Sequence, residues 1–316
     1  MRAIAVSEYR AAAQLGEHDK PTAGPGQLLV KIQAAGMNPL DQSIASGAFS
    51  EVFPGVFPMI LGVDVAGAVE AVGDDGGPYS VGQRVFGQLL APPLGANGAY
   101  AEYAAVAADA PLATVPDALS SDIAAALPTP GVTALQLSRS LEPSAGKTVA
   151  VIGAGGAVGG FLTQLLVIGG ARVLAVTMPR QTERVGSYGA HEVIDATADP
   201  TARIRGLAPD GVDALVDLVN DGEQFTLSAS TVREGGVAVS TRYAADVDAL
   251  AQQSIQAVNF VVGVTSADLQ IVAHLAVSGQ LLPPPLRTVA LEAVPDLLNA
   301  GGDGFDGKTL VRPEQP

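Results

Sequence analysis

Apolar and polar residues follow two different rhythms along the chain. Over the first hundred or so residues, short apolar stretches are broken by turn residues. "AIAV" (3–6), "LLVKIQAAG" (28–36), "VDVAGAVEAVG" (63–73), "QRVFGQL" (83–89) and "YAEYAAVA" (100–107) read as strands, with "GPG", "DDGGPYS" and "APPLGANG" as turns between them. This pattern predicts a small, mostly antiparallel barrel or sandwich. From about Ser120 the rhythm lengthens. "SDIAAAL" and "GVTALQLSRSL" read as helices, with Ser121 or Asp122 as the cap of the first. Strand-like runs then alternate with helical ones: 148–153, 171–177, 191–195, 212–219, 236–240 and "FVVGV" at 260–264. Continuous apolar strands separated by helices predict a parallel sheet covered on both faces. Beyond it, 267–281 has helical spacing, and the chain returns to strand, helix, strand through "RTVALEAVPDLLNA" and "GKTLVRP".

Composition narrows the picture. The chain has 316 residues, 48% of them hydrophobic and 16% charged, which suits two folded domains and excludes a disordered chain. It has no cysteine, hence no disulfide, thiolate metal site or cysteine nucleophile. The net charge of −15 and the absence of a basic stripe argue against nucleic acid as a partner. No stretch reads as a signal peptide or a membrane span, so a cytoplasmic protein is expected.

The chemistry concentrates at "VAVIGAGGAVGGFL" (149–162), where a strand gives way to a helix. Gly153, Gly156 and Gly159 stand three apart, and Gly155 is an additional glycine. Glycine allows the tight turn, the close approach of a pyrophosphate and the close packing of helix on strand, while the helix opens with free N–H groups. Gly153, Gly155, Gly156, Ala157, Val158 and Gly159 are therefore candidate dinucleotide contacts. The next strand ends in Thr177, where an NAD site usually has an acid, and Arg180 and Arg184 follow. A hydroxyl and two guanidinium groups suit the 2′-phosphate of NADPH. The alternative is that the arginines are surface charges, with Glu183 available as a partner.

"AAGMNPLDQSIASGAF" (34–49), "FPMILGVDVAGAVEAVG" (57–73), "VGQRVFG" (81–87), "GAYAEYAAV" (98–106), "AALPTPGVTAL" (125–135) and "GKTVAVIGAGGAVG" (146–159) occur in that order. Together with the tail from Ser278 to Val311, they resemble the zinc-free quinone oxidoreductase, or zeta-crystallin-like, branch of the medium-chain dehydrogenase/reductase superfamily. The resemblance implies an α/β protein of two domains. Residues 1–119 and 266–316 would form a GroES-like, mostly antiparallel β domain for the substrate. Residues 120–265 would form a Rossmann domain with a doubly wound parallel sheet, and the active site would lie in the cleft between the two. A homodimer through "NFVVGV" is also implied.

The resemblance assigns the cofactor site, besides the glycine turn, to Asn38, Thr133, Thr177, Arg180, Arg184, Asn220 and Ser240. Asn38, in "NPLD", is the expected catalytic residue, its amide donating to a developing enolate oxygen and orienting the nicotinamide ribose. A turn-capping role for Asn38 is the alternative, and Asp41 reads as structuring the loop. Zinc-dependent relatives carry a cysteine near Met37 or Asn38 and a His-Glu pair where this chain has Val63-Asp64, so no metal is expected. Two departures stand out: Phe49 replaces a tyrosine common in relatives, and Asn220 replaces the glycine of a "DxVG" pattern. The expected function is NADPH-dependent, zinc-independent hydride transfer to a conjugated carbonyl in a small apolar substrate, with Phe49, Phe53, Phe57 and Met59 lining the pocket. A dedicated biosynthetic reductase or cyclase of the same fold, or a non-catalytic NADPH-binding protein, are the alternatives.

Overall fold

The computed structural model describes residues 1–142, 144–300 and 305–314, so residues 301–304 of the C-terminal motif lie outside it. The chain divides into two compact units. One comprises Met1–Val132, Val264–Gly279 and Pro285–Pro316, the other Thr133–Gly263 and Gln280–Pro284.

The first unit begins with β1 (Arg2–Val6), β2 (Gln14–Glu17), β3 (Gln27–Gly36), α1 (Pro39–Ala45), β4 (Met59–Ile60) and β5 (Asp64–Val72). It continues with β6 (Arg84–Gln88), β7 (Tyr103–Ala107), β8 (Leu112–Thr114) and α2 (Ser121–Ala125), after which α3 (Pro128–Ser140) carries the chain past Val132. The second unit holds β9 (Thr148–Ile152), α4 (Ala157–Ile168), β10 (Arg172–Thr177), α5 (Thr182–Ser187), β11 (Glu192–Asp195) and α6 (Pro200–Leu207). It ends with β12 (Val212–Asp217), α7 (Gly222–Ala229), β13 (Val232–Ser240), α8 (Val247–Ala251) and β14 (Gln256–Asn259). The chain then re-enters the first unit as α9 (Ser266–Val277), β15 (Leu286–Ala290), α10 (Val294–Asn299) and β16 (Lys308–Arg312).

In the first unit, β15, β16, β3, β5, β6 and β8 form one sheet in that order, and β7 joins it on β3. Every pairing is antiparallel except β15 with β16. The sheet buries Leu28, Val30, Ile32, Val65 and Val85 in one apolar core, which Tyr100 joins from the loop before β7. The last strand matters for the site: Leu310 pairs with Gly36 and Val311 with Ala35, which brings the chain's end beside the end of β3. The sheet is the GroES-like, mostly antiparallel β architecture expected.

The second unit is a six-stranded parallel sheet of order β11-β10-β9-β12-β13-β14, the doubly wound Rossmann pattern. Its central strands are buried throughout, as β9 and β10 show, because helices cover both faces.

Two expectations are corrected. The sixth strand is Gln256–Asn259, not 260–264. Phe260 still donates its N–H to Ser240 O, but the Gln136 side chain then claims both backbone polar groups of Gly263, which leaves them unavailable to a strand. The cap of α2 is Ser120, whose Oγ accepts from the Ile123 N–H at 3.2 Å, one residue before the expected Ser121 or Asp122. No described helix is long and apolar enough to cross a membrane.

Candidate functional site

The carboxyl ends of the parallel strands gather one set of candidates. After β9 the chain turns at Gly153, whose φ of +86° lies in the region that favours glycine, and a Cβ there would stand 2.7 Å from Val219 Cγ1. Gly156 caps α4, and the N–H groups of Ala157 and Val158 open the helix with no earlier turn to bond to. At Gly159 a Cβ would lie 2.3 Å from Gly153 O and 2.6 Å from Ala154 Cα, so helix and strand touch through backbone. This is the cradle a pyrophosphate needs: bare backbone and a positive helix end.

The expected specificity residues surround the same turn. Thr177, at the end of β10, donates its hydroxyl to Gln181 Oε1 at 2.5 Å. A Cβ on Gly155 would meet Gln181 Oε1 at 1.9 Å and Thr177 Oγ1 at 2.3 Å, so these side chains lie directly against the loop. Arg184 donates to Gly155 O at 3.1 Å and braces it. Arg180 is exposed in the short turn between β10 and α5. Gln181 was not singled out by the sequence; its place four residues after Thr177, one helical turn on, is the signal that marks it.

Two more candidates lie at strand ends. Asn220 follows β12 and is folded back on buried Asp217, to which its N–H and its Nδ2 donate at 2.9 and 2.8 Å. Ser240 ends β13, fully buried, and its Oγ accepts from the N–H groups of Arg242 and Ala244. Thr133 is buried in α3.

Asn38 belongs to a separate network in the first unit. It sits before Pro39, which opens α1 with its fixed φ. Asn38 Nδ2 donates to Gly36 O at 3.1 Å and to Asp64 Oδ2 at 2.8 Å, and Oδ1 accepts from Lys308 Nζ at 2.5 Å. Both amide protons are therefore engaged, and only one Oδ1 lone pair remains. Asp64 also accepts from the Thr129 N–H and from Thr129 Oγ1 at 2.6 Å. Lys308 is buried and lies 3.8 Å from Asp64. Burial raises the Asp64 carboxyl and lowers the Lys308 ammonium, each against the pull of the other. Neither Lys308 nor Thr129 was anticipated, because nothing local to either residue announces the pairing.

Asp41 does structure the loop. It is fully buried and accepts from Tyr100 Oη at 2.6 Å, the Asn38 N–H at 2.7 Å and the Val63 N–H at 3.0 Å. Burial nonetheless pushes its carboxyl up to about 6. Of the expected apolar lining, Met59 is wholly buried core, Phe49 and Phe53 pack on that core, and only Phe57 is exposed, edge-on to Tyr9. Among the described residues, no group of three or more histidines and carboxylates is placed to hold a metal ion.

The chain is similar to known proteins. Residues 24–117 match the alcohol dehydrogenase GroES-like domain, and residues 157–275 match the domain described as zinc-binding dehydrogenase. The chain is 32% identical over 245 residues to the chloroplast envelope quinone oxidoreductase homolog of Arabidopsis thaliana, covering 75% of this chain and 73% of that one. It is 30% identical over 329 aligned positions to an NAD-dependent alcohol dehydrogenase of Saccharolobus solfataricus, covering 92% and 94% of the two chains. The solved quinone oxidoreductase of Coxiella burnetii superposes with a TM-score of 0.87 at 25% identity over 99% of both chains. Glycine turn, sheet orders and relatives agree: this chain is a nicotinamide-dinucleotide oxidoreductase of the quinone oxidoreductase branch of the medium-chain dehydrogenase/reductase superfamily.

Proposed function

We propose that the protein is an NADPH-dependent, zinc-independent reductase of conjugated carbonyl compounds: quinones, enones or enoyl groups. The observation that carries this reading is the bare turn from Gly153 to Gly159, flanked by a hydroxyl and guanidinium groups rather than a carboxylate. A reduced nicotinamide, when bound, supplies a hydride. The N–H groups of Ala157 and Val158 hold the pyrophosphate, while that of Gly156 closes the turn on Gly153 O at 3.1 Å. Arg184 and Gln181 keep the loop in place, and exposed Arg180 meets the 2′-phosphate. Thr133, Asn220 and Ser240 complete the cofactor's surroundings. The second Oδ1 lone pair of Asn38 suits an incoming hydroxyl such as that of the nicotinamide ribose, so Asn38 orients rather than protonates. Asp64 and Lys308 lock the amide in that sense. Zinc independence rests on the donor set, since no cysteine is present and Val63-Asp64 stands in place of a His-Glu pair. β14 is the last strand of its sheet, and a homodimer across that edge belongs to the same reading.

Replacing Arg180 with alanine tests the cofactor preference. The Kd for NADPH, measured by calorimetry, is expected to rise about tenfold through loss of a charge-assisted contact, while that for NADH stays within about twofold. Equal effects on both cofactors, or none, would remove Arg180 from the 2′-phosphate site.

A further inference from the structure

Tyr243 lies just beyond β13 with a φ of +59°. Among the described residues Arg10, Asp75 and Ser254 share that backbone region. Aspartate and serine are short polar residues at home in turns, and the Arg10 N–H is tied to Ala45 O. An aromatic residue there is a genuine outlier. Burial does not compensate, because Tyr243 is 71% exposed. The strain persists because both flanks of the loop are fixed. Buried Ser240 accepts from the Arg242 and Ala244 N–H groups at 3.1 Å each. Asn259 then brackets Ala245, accepting its N–H and donating to its carbonyl, both at 3.0 Å. The loop thus holds a strained aromatic ring out in solvent, the kind of outlier that marks a ligand contact.

Its place in the sheet says which ligand. Ligands of open parallel sheets bind outside the carboxyl ends of the strands. The β10 end, with Thr177 and Arg180, suits the adenosine side, and the turn after β9 suits the pyrophosphate. In the order β10-β9-β12-β13, the rest of an extended dinucleotide runs toward β12 and β13. The loop after β13 therefore stands at the nicotinamide end, where an acceptor must also lie.

We propose that Tyr243 is the residue that contacts the acceptor, its phenol donating to the carbonyl oxygen; this rests on the reductase reading above. Hydride addition at the carbon β to the carbonyl shifts the conjugated electron pairs and leaves the negative charge on oxygen. The Tyr243 O–H bond breaks as the new O–H bond forms on the acceptor, giving an enol. The phenolate recovers its proton from water, and the enol tautomerises to the saturated carbonyl. The acceptor gains two electrons from the nicotinamide and two protons' worth of hydrogen, one as hydride and one from the phenol.

The full-length protein and its Tyr243→Phe and Tyr243→Gly variants test this. Thermal unfolding is recorded for each, 3-nonen-2-one is titrated calorimetrically into each NADP⁺ complex, and turnover of NADPH with the same enone is followed. Tyr243→Gly is expected to unfold at the same or a higher temperature, since glycine accepts the left-handed backbone, yet to lose turnover. Tyr243→Phe is expected to keep its NADP⁺ affinity, bind the enone about tenfold more weakly and turn over about 100-fold more slowly. A Tyr243→Phe variant that binds and reduces the enone like the parent would overturn the proposal alone. A Tyr243→Gly variant that unfolds at a lower temperature would show that the tyrosine is held for packing and overturn it too. A parent protein that neither binds nor reduces the enone would remove the proposal together with the reductase reading.

Discussion

Replacing Gly159 with alanine is expected to weaken dinucleotide binding strongly and to destabilise the Rossmann unit. The added methyl would stand 2.3 Å from Gly153 O and 2.6 Å from Ala154 Cα. Both are backbone atoms of the turn itself, so neither can rotate away, and α4 must move off β9. Overpacking of this kind costs about 3 kcal/mol, and a displaced helix end no longer presents its N–H groups. The Kd for NADPH is expected to rise about 100-fold, with the unfolding temperature falling in parallel. Gly156→Ala is the informative control. Its φ of −72° suits any residue, and its Cβ would meet only Gly153 O, at 3.4 Å. That variant is expected to keep its unfolding temperature and lose affinity alone, because the methyl occupies the approach of the phosphate. A Gly159→Ala protein that binds NADPH like the parent would show that the turn is not the cofactor cradle.

The second large effect is on stability. Asp41→Ala leaves two buried donors, Tyr100 Oη and the Val63 N–H, and the half-buried Asn38 N–H with no acceptor. Orphaning them costs about 3–5 kcal/mol, or roughly 10 °C in the unfolding temperature. The pH dependence carries the opposite sign from an ordinary paired carboxylate. The Asp41 carboxyl is raised from 3.8 in the unfolded chain to about 6 in the fold, chiefly by burial, so the folded protein binds this proton more tightly. The stabilisation linked to that proton is fully present below the unfolded value and is lost as pH rises through about 6. Asp41→Asn has no such proton. The stability gap between parent and Asp41→Asn is therefore expected to be wider at pH 5 than at pH 7.5, as read by denaturant titration at each pH. A gap that widens with rising pH would contradict the burial-driven shift.

The sequence disclosed what is decided locally. The glycine turn could be read because steric need dictates glycine there, whatever lies far along the chain. The parallel sheet could be read because strands buried on both faces are continuously apolar, as "VAVI" and "VLAV" are. "FVVGV" misled for the same reason: it is more apolar than the true strand "QAVN", but Gln136 takes the backbone groups of Gly263. The seven residues of the helix at Pro39–Ala45 are too few to show a period. Asp41 was recognised as a loop former, whereas the engagement of both Asn38 amide protons was not foreseen. That engagement depends on Asp64 and on Lys308, which is 270 residues from Asn38 and reaches it only because β16 pairs with β3. Long-range pairing of single polar residues leaves no mark in composition or periodicity. The left-handed backbone at Tyr243 was equally hidden, because a tyrosine is not expected there.

The most direct test of the central claim is turnover by the purified protein after dialysis against a chelator, with NADPH and NADH each paired with duroquinone and 3-nonen-2-one, following the absorbance of the reduced nicotinamide. Loss of absorbance with NADPH and at least one acceptor, slower with NADH and no different before and after the chelator, is the result this account expects. Tight NADPH binding with no turnover of either acceptor would contradict the reductase reading, and activity lost to the chelator and restored by zinc would contradict the metal-free one.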